Sequence, residues 1–337
     1  GTGGKRGIPV EAEKSGRRLK GEGEPLIHRG GETRPGPFMD YSRKGMESPG
    51  FDRCRMIRHT ETPGKEGTTM NPIFKKLAAV LDRIPNGFPA TESGVELKIL
   101  EKLFSLPQAE LATHLTLEGQ TAKQVARRSG LEERECFLLL KKMTRKGLIE
   151  AEPGKGGLAF RLIPFIVGFY EKQNARIDAE FARLFEQYYL EALHRIMDMN
   201  PSVHRVIPVE TAIPLQVEVM PYERASHYLN RARAWGVLPC ICRVQQALIG
   251  KGCTHSRENC LVFSSRPGAF DRTDAIRAIP RKEAFEILDQ ARREGLIHST
   301  GNRRDGLTYI CNCCTCCCGV IRGVTEFGHL NAVARSD

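Results

Sequence analysis

The chain has 337 residues, of which 40% are hydrophobic and 27% charged, a composition typical of globular protein with two or three domains. Its longest apolar stretch, residues 162–170, is far shorter than the roughly 20 residues that cross a bilayer, and no signal-peptide pattern opens the chain. These features argue against a membrane protein and predict a cytoplasmic one. The formal net charge of +11 would suit a nucleic acid, an anionic membrane surface or an acidic partner, but equally a solvated basic surface.

Residues 1–69 differ in composition from the rest of the chain. They hold 14 of the 33 glycines, scattered charges of both signs and no apolar period, which is typical of disordered segments. The chain begins with Gly1, whereas Met70 opens the first helical pattern. We therefore predict that residues 1–69 are disordered or a non-native extension, in which Cys54 has no role.

Residues 70–165 show the element order of a winged helix-turn-helix domain. Apolar residues recur at helical spacing, and glycines end several of these patterns. Helices are predicted over residues 74–81, 95–104, 121–130 and 136–147. Two strands joined by a Gly-rich turn then follow, and helices followed by such a β-hairpin wing are typical of this fold.

The predicted recognition helix of this domain carries acids where DNA would lie. Glu132, Glu133 and Glu135 open it, and carboxylates at that end repel the phosphate backbone. Acids also suit a helix N-terminus because of the helix dipole. Packing or protein contact is therefore favoured over DNA binding, and Cys136, on the apolar stripe, is predicted to be a core thiol.

The remaining residues are predicted to form two further parts. Residues 166–215 would hold a long connecting helix, over 171–199, and a short strand. Residues 216–337 would form a cysteine-rich α+β domain. In this domain, strands are predicted at 216–219, 296–299 and 307–310, and helices at 221–233 and 281–294. The last two strands form a hairpin that leads into the final cysteines, and the whole chain is predicted to be an α+β protein, mostly helical.

Ten of the twelve cysteines lie between Cys240 and Cys318. Thiols at this density indicate metal or redox chemistry rather than packing. Disulfides are not favoured, because they belong to small secreted scaffolds and adjacent cysteines bridge poorly. Three sets stand out: Cys240 with Cys242, Cys253 with Cys260, and the six cysteines of residues 311–318. The first two sets supply four thiols, enough for one site, and the last set supplies a second.

The spacing of these cysteines bears on the kind of metal. Structural zinc sites mostly use paired cysteines two to four residues apart, and this chain does not follow that pattern. Iron–sulfur clusters accept more varied spacings, although the bacterial ferredoxin run is absent. Iron–sulfur is therefore favoured, with zinc as the competing metal. Arg243 and Lys251 would offset thiolate charge, and His255, His298 and His329 are predicted to form hydrogen bonds rather than bind metal.

Several segments resemble the middle of large 4Fe-4S ferredoxin-type iron–sulfur proteins of anaerobic microbes. The resemblance covers residues 70–337 and is carried by residues 71–94, 238–243, 247–250, 267–271 and 309–319, above all by the C-N-C-C-x-C run. It implies cluster binding and redox function. Those proteins usually continue into a dicluster ferredoxin segment, which this chain lacks, so we expect a fragment or a shortened relative.

The sequence thus predicts an electron carrier or subunit with one or two [4Fe-4S] clusters and a redox partner protein. The predicted ligands are Cys240, Cys242, Cys253, Cys260, Cys311, Cys313, Cys314, Cys316 and Cys318. Cys317 is doubtful, because the resembled run often tolerates serine there. No phosphate loop, nucleophile elbow or other organic reaction centre is present, so we do not predict an enzyme. The alternatives are a redox-sensing winged-helix DNA-binding regulator and a zinc-stapled interaction module, and the oligomeric state is left open.

Overall fold

The computed structural model contains both helices and strands along the chain, a mixture compatible with an α+β protein. The structure describes residues 71–154, 156–207, 225–271, 273, 275–302 and 306–334. The predictions for residues 1–69 and for a strand at 216–219 lie outside these residues. Residues Glu66–Asp337 form one compact unit. The division of this unit into separate domains after residues 165 and 215 remains a prediction.

Five helices and a three-stranded antiparallel sheet make up the first part of this unit, as far as the described residues go. The helices are α1 (Pro72–Asp82), α2 (Val95–Leu103), α3 (Leu106–Ala112), α4 (Ala122–Ser129) and α5 (Glu133–Arg145). The strands β1 (Gln120–Thr121), β2 (Glu150–Gly154) and β3 (Gly157–Arg161) lie in the order β1-β3-β2. Helix α3 and strand β1 were not predicted from the sequence, whereas the other four helices and the hairpin were.

The ends of α4 and α5 follow from local capping. Thr121 and Gln124 form a capping box at the start of α4, and Gly130, in the left-handed conformation with φ 74°, ends it. Glu132 caps α5 by accepting hydrogen bonds from the backbone N–H groups of Arg134 and Glu135. The acids that open α5 therefore stabilise its N-terminus, as the helix dipole favours.

The long helix predicted over 171–199 is shorter in the structure. A 3-10 turn at Glu171–Gln173 precedes α6 (Ala179–Glu191), and another 3-10 segment follows at Leu193–Asp198. Asp178 starts α6 afresh because its carboxylate accepts the backbone N–H of Phe181 at 2.7 Å. Phe181, Phe185 and Tyr188 are buried, as predicted, in a core that continues to Ile241.

The rest of the unit contains a sheet of seven strands, flanked by helices. The strands are β4 (His204–Val206), β5 (Ala234–Pro239), β6 (Glu258–Ser264), β7 (Arg277–Ile279), β8 (Ile297–Gly301), β9 (Tyr309–Cys313) and β10 (Val333–Ala334). Their order is β10-β4-β8-β9-β6-β5-β7, and among these described strands β10 and β4 are the one parallel pair. The helices are α7 (Ala225–Arg231), α8 (Ile241–Leu248), α9 (Arg281–Arg293) and α10 (Gly319–Phe327). The pairing of β8 with β9 confirms the predicted hairpin.

A buried ion pair ties three of these helices together. Glu186 of α6 accepts hydrogen bonds from both terminal nitrogens of Arg322 in α10, at 2.9 and 3.0 Å. It also accepts one from Gln246 of α8 at 2.6 Å. The network fixes α8 and α10 relative to each other, and both helices carry cysteines at their N-termini. Among the described residues, no helix combines the length and the apolar character that crossing a membrane requires.

Candidate metal centre

One group of four thiols lies at the turn between β9 and α10. Cys314, Cys316 and Cys317 belong to this turn, and Cys253 reaches it from the loop that follows α8. The four sulfur atoms all lie within 4.8 Å of one another, so this group could hold a metal ion. Cys314 and Cys317 are buried, Cys253 is half-buried and Cys316 is exposed. We call these four residues the four-thiol group.

The loop that carries Cys253 is fixed to α9. Glu294 accepts hydrogen bonds from the backbone N–H and the hydroxyl of Ser256, at 2.9 and 3.0 Å. Burial would raise the pKa of the Cys253 thiol, but its interactions with the neighbouring His255 outweigh burial and lower the pKa to about 6. The lowered pKa favours a thiolate. The buried Nδ1 of His255 has no hydrogen-bond partner among the described residues, so the hydrogen-bonding role predicted for His255 stays a prediction.

The other six cysteines of the region are brought together by strands and helix ends. In β6 and β9, Leu261 lies opposite Ile310, which places Cys260 opposite Cys311 at the next position. Cys311 and Cys313 are two residues apart in β9 and therefore share a face of the sheet. The three remaining thiols come from helix N-termini. Cys240 is the N-cap of α8, Cys242 lies in its first turn, and Cys318 is the N-cap of α10.

These six thiols form a closed ring in which each interacts with two neighbours. Cys240 interacts with Cys242 and Cys260, and Cys313 interacts with Cys311 and Cys318. Cys242 interacts with Cys318, and Cys260 with Cys311, which closes the circle. We call this set the six-thiol ring. The interactions of Cys240 and Cys313 with their neighbouring thiols lower the pKa of both residues. Neighbouring thiols and burial raise the pKa of the other four, Cys242, Cys260, Cys311 and Cys318.

The structure combines the cysteines differently from the sequence-based grouping. Cys253 does not join Cys240, Cys242 and Cys260, but lies with three thiols of the final run. That run is divided, because Cys311 and Cys313 lie in β9 and Cys318 caps α10, whereas the intervening turn projects its thiols towards Cys253. Cys317, which the sequence left doubtful, lies in the four-thiol group. Cys136 is fully buried and outside both sets, as the prediction of a core thiol implied.

A buried arginine lies between the two sets of thiols. Arg243 is 1% exposed, and its guanidinium interacts with the thiols of Cys240, in the ring, and Cys314, in the four-thiol group. It also donates hydrogen bonds to Ser256 O, Asn259 Oδ1 and Asn312 O, at 2.9, 2.8 and 2.9 Å. Within the described part of the chain, no carboxylate pairs with it, so neighbouring thiolates would have to supply its counter-charge. The predicted partner of the thiolates, Lys251, instead lies 3.3 Å from Glu186.

Asparagine and histidine side chains support the strand that carries Cys311 and Cys313. Asn312 is fully buried and donates a hydrogen bond to Asn259 O at 2.5 Å. His298 donates from Nδ1 to Asn312 Oδ1 at 2.6 Å, and burial lowers the pKa of His298. Sequence reasoning predicted a hydrogen-bonding role for His298 but missed Asn259 and Asn312. The position of Asn312 between two cysteines was the signal that could have shown its role.

The donor atoms suit a thiophilic metal. The ligands that the two sets offer are all sulfur, which zinc, copper(I) and iron–sulfur clusters prefer. The buried Nε of Arg243 lacks a hydrogen-bond partner, and an uncompensated buried cation is costly, which favours a negatively charged metal–thiolate centre beside it. His329, predicted to form a hydrogen bond, pairs with His194 at 2.9 Å instead of joining either set.

Comparison of the chain with models of protein families, with curated proteins and with solved structures found no match. The resemblance to 4Fe-4S ferredoxin-type proteins therefore stays a prediction. The fold and the site define a protein of mixed helices and strands with a group of four cysteines that could hold a metal ion.

Proposed function

We propose that this protein binds iron as an iron–sulfur cluster in the four-thiol group and transfers electrons to or from a redox partner protein. The observation that carries the proposal is a ligand set made only of sulfur, next to a buried arginine and with one exposed ligand, Cys316. Burial and a nearby cation set the potential of a cluster. An exposed ligand gives an electron a short path to the surface.

A cluster of this kind supplies reversible one-electron chemistry, in which one electron arrives from a reduced partner protein and leaves to an oxidised one. The residues of this chain would hold the cluster in place and offset its negative charge. Cys314 and Cys317 hold the buried side, Arg243 offsets negative charge, and His255 lowers the pKa of Cys253. A cytoplasmic location, where thiols stay reduced, belongs to the same proposal, and neither thiol set offers an organic reaction centre.

The proposal predicts that protein prepared without oxygen is brown and contains iron and acid-labile sulfide in near-equal amounts. A Cys253→Ser, Cys316→Ser variant should lose the iron held by the four-thiol group, because serine binds iron less well than a thiolate. Iron, sulfide and zinc are measured per chain, together with the visible absorption before and after reduction with dithionite. Cys136→Ala is the matched control, since it removes a thiol outside both sets and should leave the metal content unchanged.

A reversible loss of visible absorption on reduction, at constant iron content, would support electron transfer. Colourless protein that holds stoichiometric zinc and no iron after anaerobic reconstitution would contradict the proposal. So would a double variant with the iron content and spectrum of the unchanged protein.

Zinc is the second candidate, because the four sulfur atoms lie close together. Four thiolates on one tetrahedral ion, with metal–sulfur bonds of about 2.3 Å, would lie about 3.8 Å apart. In a [4Fe-4S] cluster each thiolate binds a different iron, so the thiolates lie further apart. Rotation of the exposed Cys316 and of Cys253, in its loop, would widen the group for a cluster. Metal analysis distinguishes the zinc-stapled interaction module from the electron carrier.

We also propose that the winged-helix domain predicted over residues 70–165 contacts protein rather than DNA. Support comes from the element order α3, β1, α4, α5, β2 and β3, and from the packing of Phe137 in α5 on Phe160 in β3, with ring centres 6.0 Å apart. Leu138, on α5, is 59% exposed. An exposed apolar side chain suits contact with a protein better than contact with DNA phosphates.

This assignment predicts that the protein gives no salt-dependent gel shift with duplex DNA at low salt, whether metal is bound or removed. The acids at the start of α5 repel the phosphate backbone. DNA binding should therefore stay undetectable even at low salt, where charges are screened least. Binding that weakens steeply as salt rises would instead favour the redox-sensing regulator.

A further inference from the structure

We propose that the six-thiol ring is a second metal site, separate from the four-thiol group, and that it holds a polynuclear iron–sulfur centre. The identity of the metal rests on the proposed function, whereas the existence of a second site rests on the arrangement of Cys240, Cys242, Cys260, Cys311, Cys313 and Cys318. No carboxylate or imidazole completes this set among the described residues, so the centre would be held by sulfur alone.

The number of thiols argues against a single ion. A structural zinc ion takes four tetrahedral ligands, and the ring offers six. The sulfur atoms of the ring do not gather within 4.8 Å of one another as those of the four-thiol group do. Six spread thiolates instead suit several metal ions bridged by sulfide, since sulfide separates the irons and spreads their outer ligands.

The surroundings of the ring favour negative charge. Cys240 and Cys318 cap the N-termini of α8 and α10, where the helix dipole stabilises anions. Arg243 interacts with Cys240 from within the fold, and the Ser299 hydroxyl lies 3.6 Å from the Cys313 sulfur. Two helix ends, a guanidinium and a hydroxyl thus converge on thiols that would otherwise be costly to ionise in a buried place.

The ring lies next to the four-thiol group and deeper in the protein. Cys313 and Cys318, of the ring, are the sequence neighbours of Cys314 and Cys317, of the four-thiol group. Consecutive Cα atoms are about 3.8 Å apart, so the two sets are adjacent at both of these points. Three ring thiols are buried and the other three are half-buried, so none is exposed, whereas the four-thiol group includes the exposed Cys316. The four-thiol group is therefore the outer site and the ring the inner one, an order that suits an electron passing between a partner protein and a protected centre.

The test compares two emptied variants of the full chain, each reconstituted without oxygen beside the unchanged protein. Cys253→Ser with Cys316→Ser empties the outer site, and Cys260→Ser with Cys311→Ser breaks the ring on its strand side. Cys242→Ser with Cys318→Ser breaks the ring on its helix side and serves if the strand-side variant fails to fold, as judged by circular dichroism. Iron, sulfide and zinc per chain are measured, together with Mössbauer and reduced-state EPR spectra.

The outer-site variant should keep the iron of the ring, roughly half or more of the total. The ring variant should keep the rest of the iron, which the four-thiol group holds. The two variants should give different spectra. The unchanged protein, when reduced, should show EPR signals broadened by coupling between two neighbouring centres, and either variant should lose this coupling. Complete loss of metal from the outer-site variant would overturn the inference, as would a folded ring variant with the metal content of the unchanged protein. If zinc replaces iron throughout, the iron proposal fails, while the same comparison of zinc contents still decides whether the ring binds metal.

Discussion

An Arg243→Met variant should have a markedly lower reduction potential than the unchanged protein and should retain less metal. Reduction adds negative charge to a metal–thiolate centre, and removal of a neighbouring cation makes the reduced state less favourable. At about 5 Å and an effective dielectric constant of about 20, one unit charge contributes about 3 kcal/mol, or on the order of 100 mV for a one-electron couple. A spectroelectrochemical titration under anaerobic conditions measures the potential.

Arg243→Lys is the matched control for this variant. A lysine keeps the positive charge but cannot reproduce the three hydrogen bonds to Ser256, Asn259 and Asn312. Both variants should therefore lose stability, but only Arg243→Met should show the full fall in potential. Equal potentials in Arg243→Met and in the unchanged protein would show that the guanidinium does not compensate thiolate charge.

The elements around the site could be predicted from local sequence, but the grouping of the thiols could not. The hairpin that delivers Cys311 and Cys313 follows from two short apolar runs and the polar, Gly-containing segment between them, and the structure contains it. Which thiols lie together depends on the register of β6 against β9 and on the loop that carries Cys253. These are pairings between segments distant in sequence, and spacing along the chain carries no information on them.

The sequence analysis also missed two helix starts, although local capping residues mark both of them. Asp178 precedes Ala179 and Glu180 in the pattern of an N-cap, so a break before α6 was readable even though the apolar stripe continues through it. Ser105, Pro107 and Gln108 likewise begin α3 with a capping box. The position of Arg243, by contrast, was predicted from the sequence. Its place beside Cys242 indicated charge compensation, and the structure places it against thiols of both sets.

A Glu186→Gln variant should be less stable by about 3–5 kcal/mol, since it leaves a buried arginine without its main counter-ion. Glu186 is 6% exposed and Arg322 is 4% exposed. The Arg322 guanidinium also lies over the Tyr189 ring at 4.5 Å, so it cannot turn to solvent without giving up that contact. Denaturant unfolding, measured under anaerobic conditions, gives the change in the free energy of unfolding. Because α8 and α10 carry Cys240, Cys242 and Cys318, metal retention should fall as well.

Glu326→Gln provides the control within the same network. Glu326 accepts a hydrogen bond from Arg322 Nε at 2.8 Å, but its side chain is 41% exposed. Water screens the charge of an exposed carboxylate, so loss of this charge should cost about 1 kcal/mol or less. A loss in Glu326→Gln as large as that in Glu186→Gln would mean that burial of Glu186 does not govern the network.

The same ion pair should govern stability in acid. Burial would raise the pKa of Glu186, but the hydrogen bond and charge of Arg322, with help from Gln246 and Lys251, outweigh it and hold the pKa below its ordinary value of 4.5. A carboxylate with a lowered pKa stabilises the fold above its ordinary pKa, and that contribution is lost as the pH falls through the lowered value. The free energy of unfolding of the unchanged protein should therefore decline below about pH 4.5 more steeply than that of Glu186→Gln, so that the two curves converge in acid. Parallel curves would show that the pKa of Glu186 is the same in the folded and the unfolded protein, so that its ion pair does not stabilise the fold.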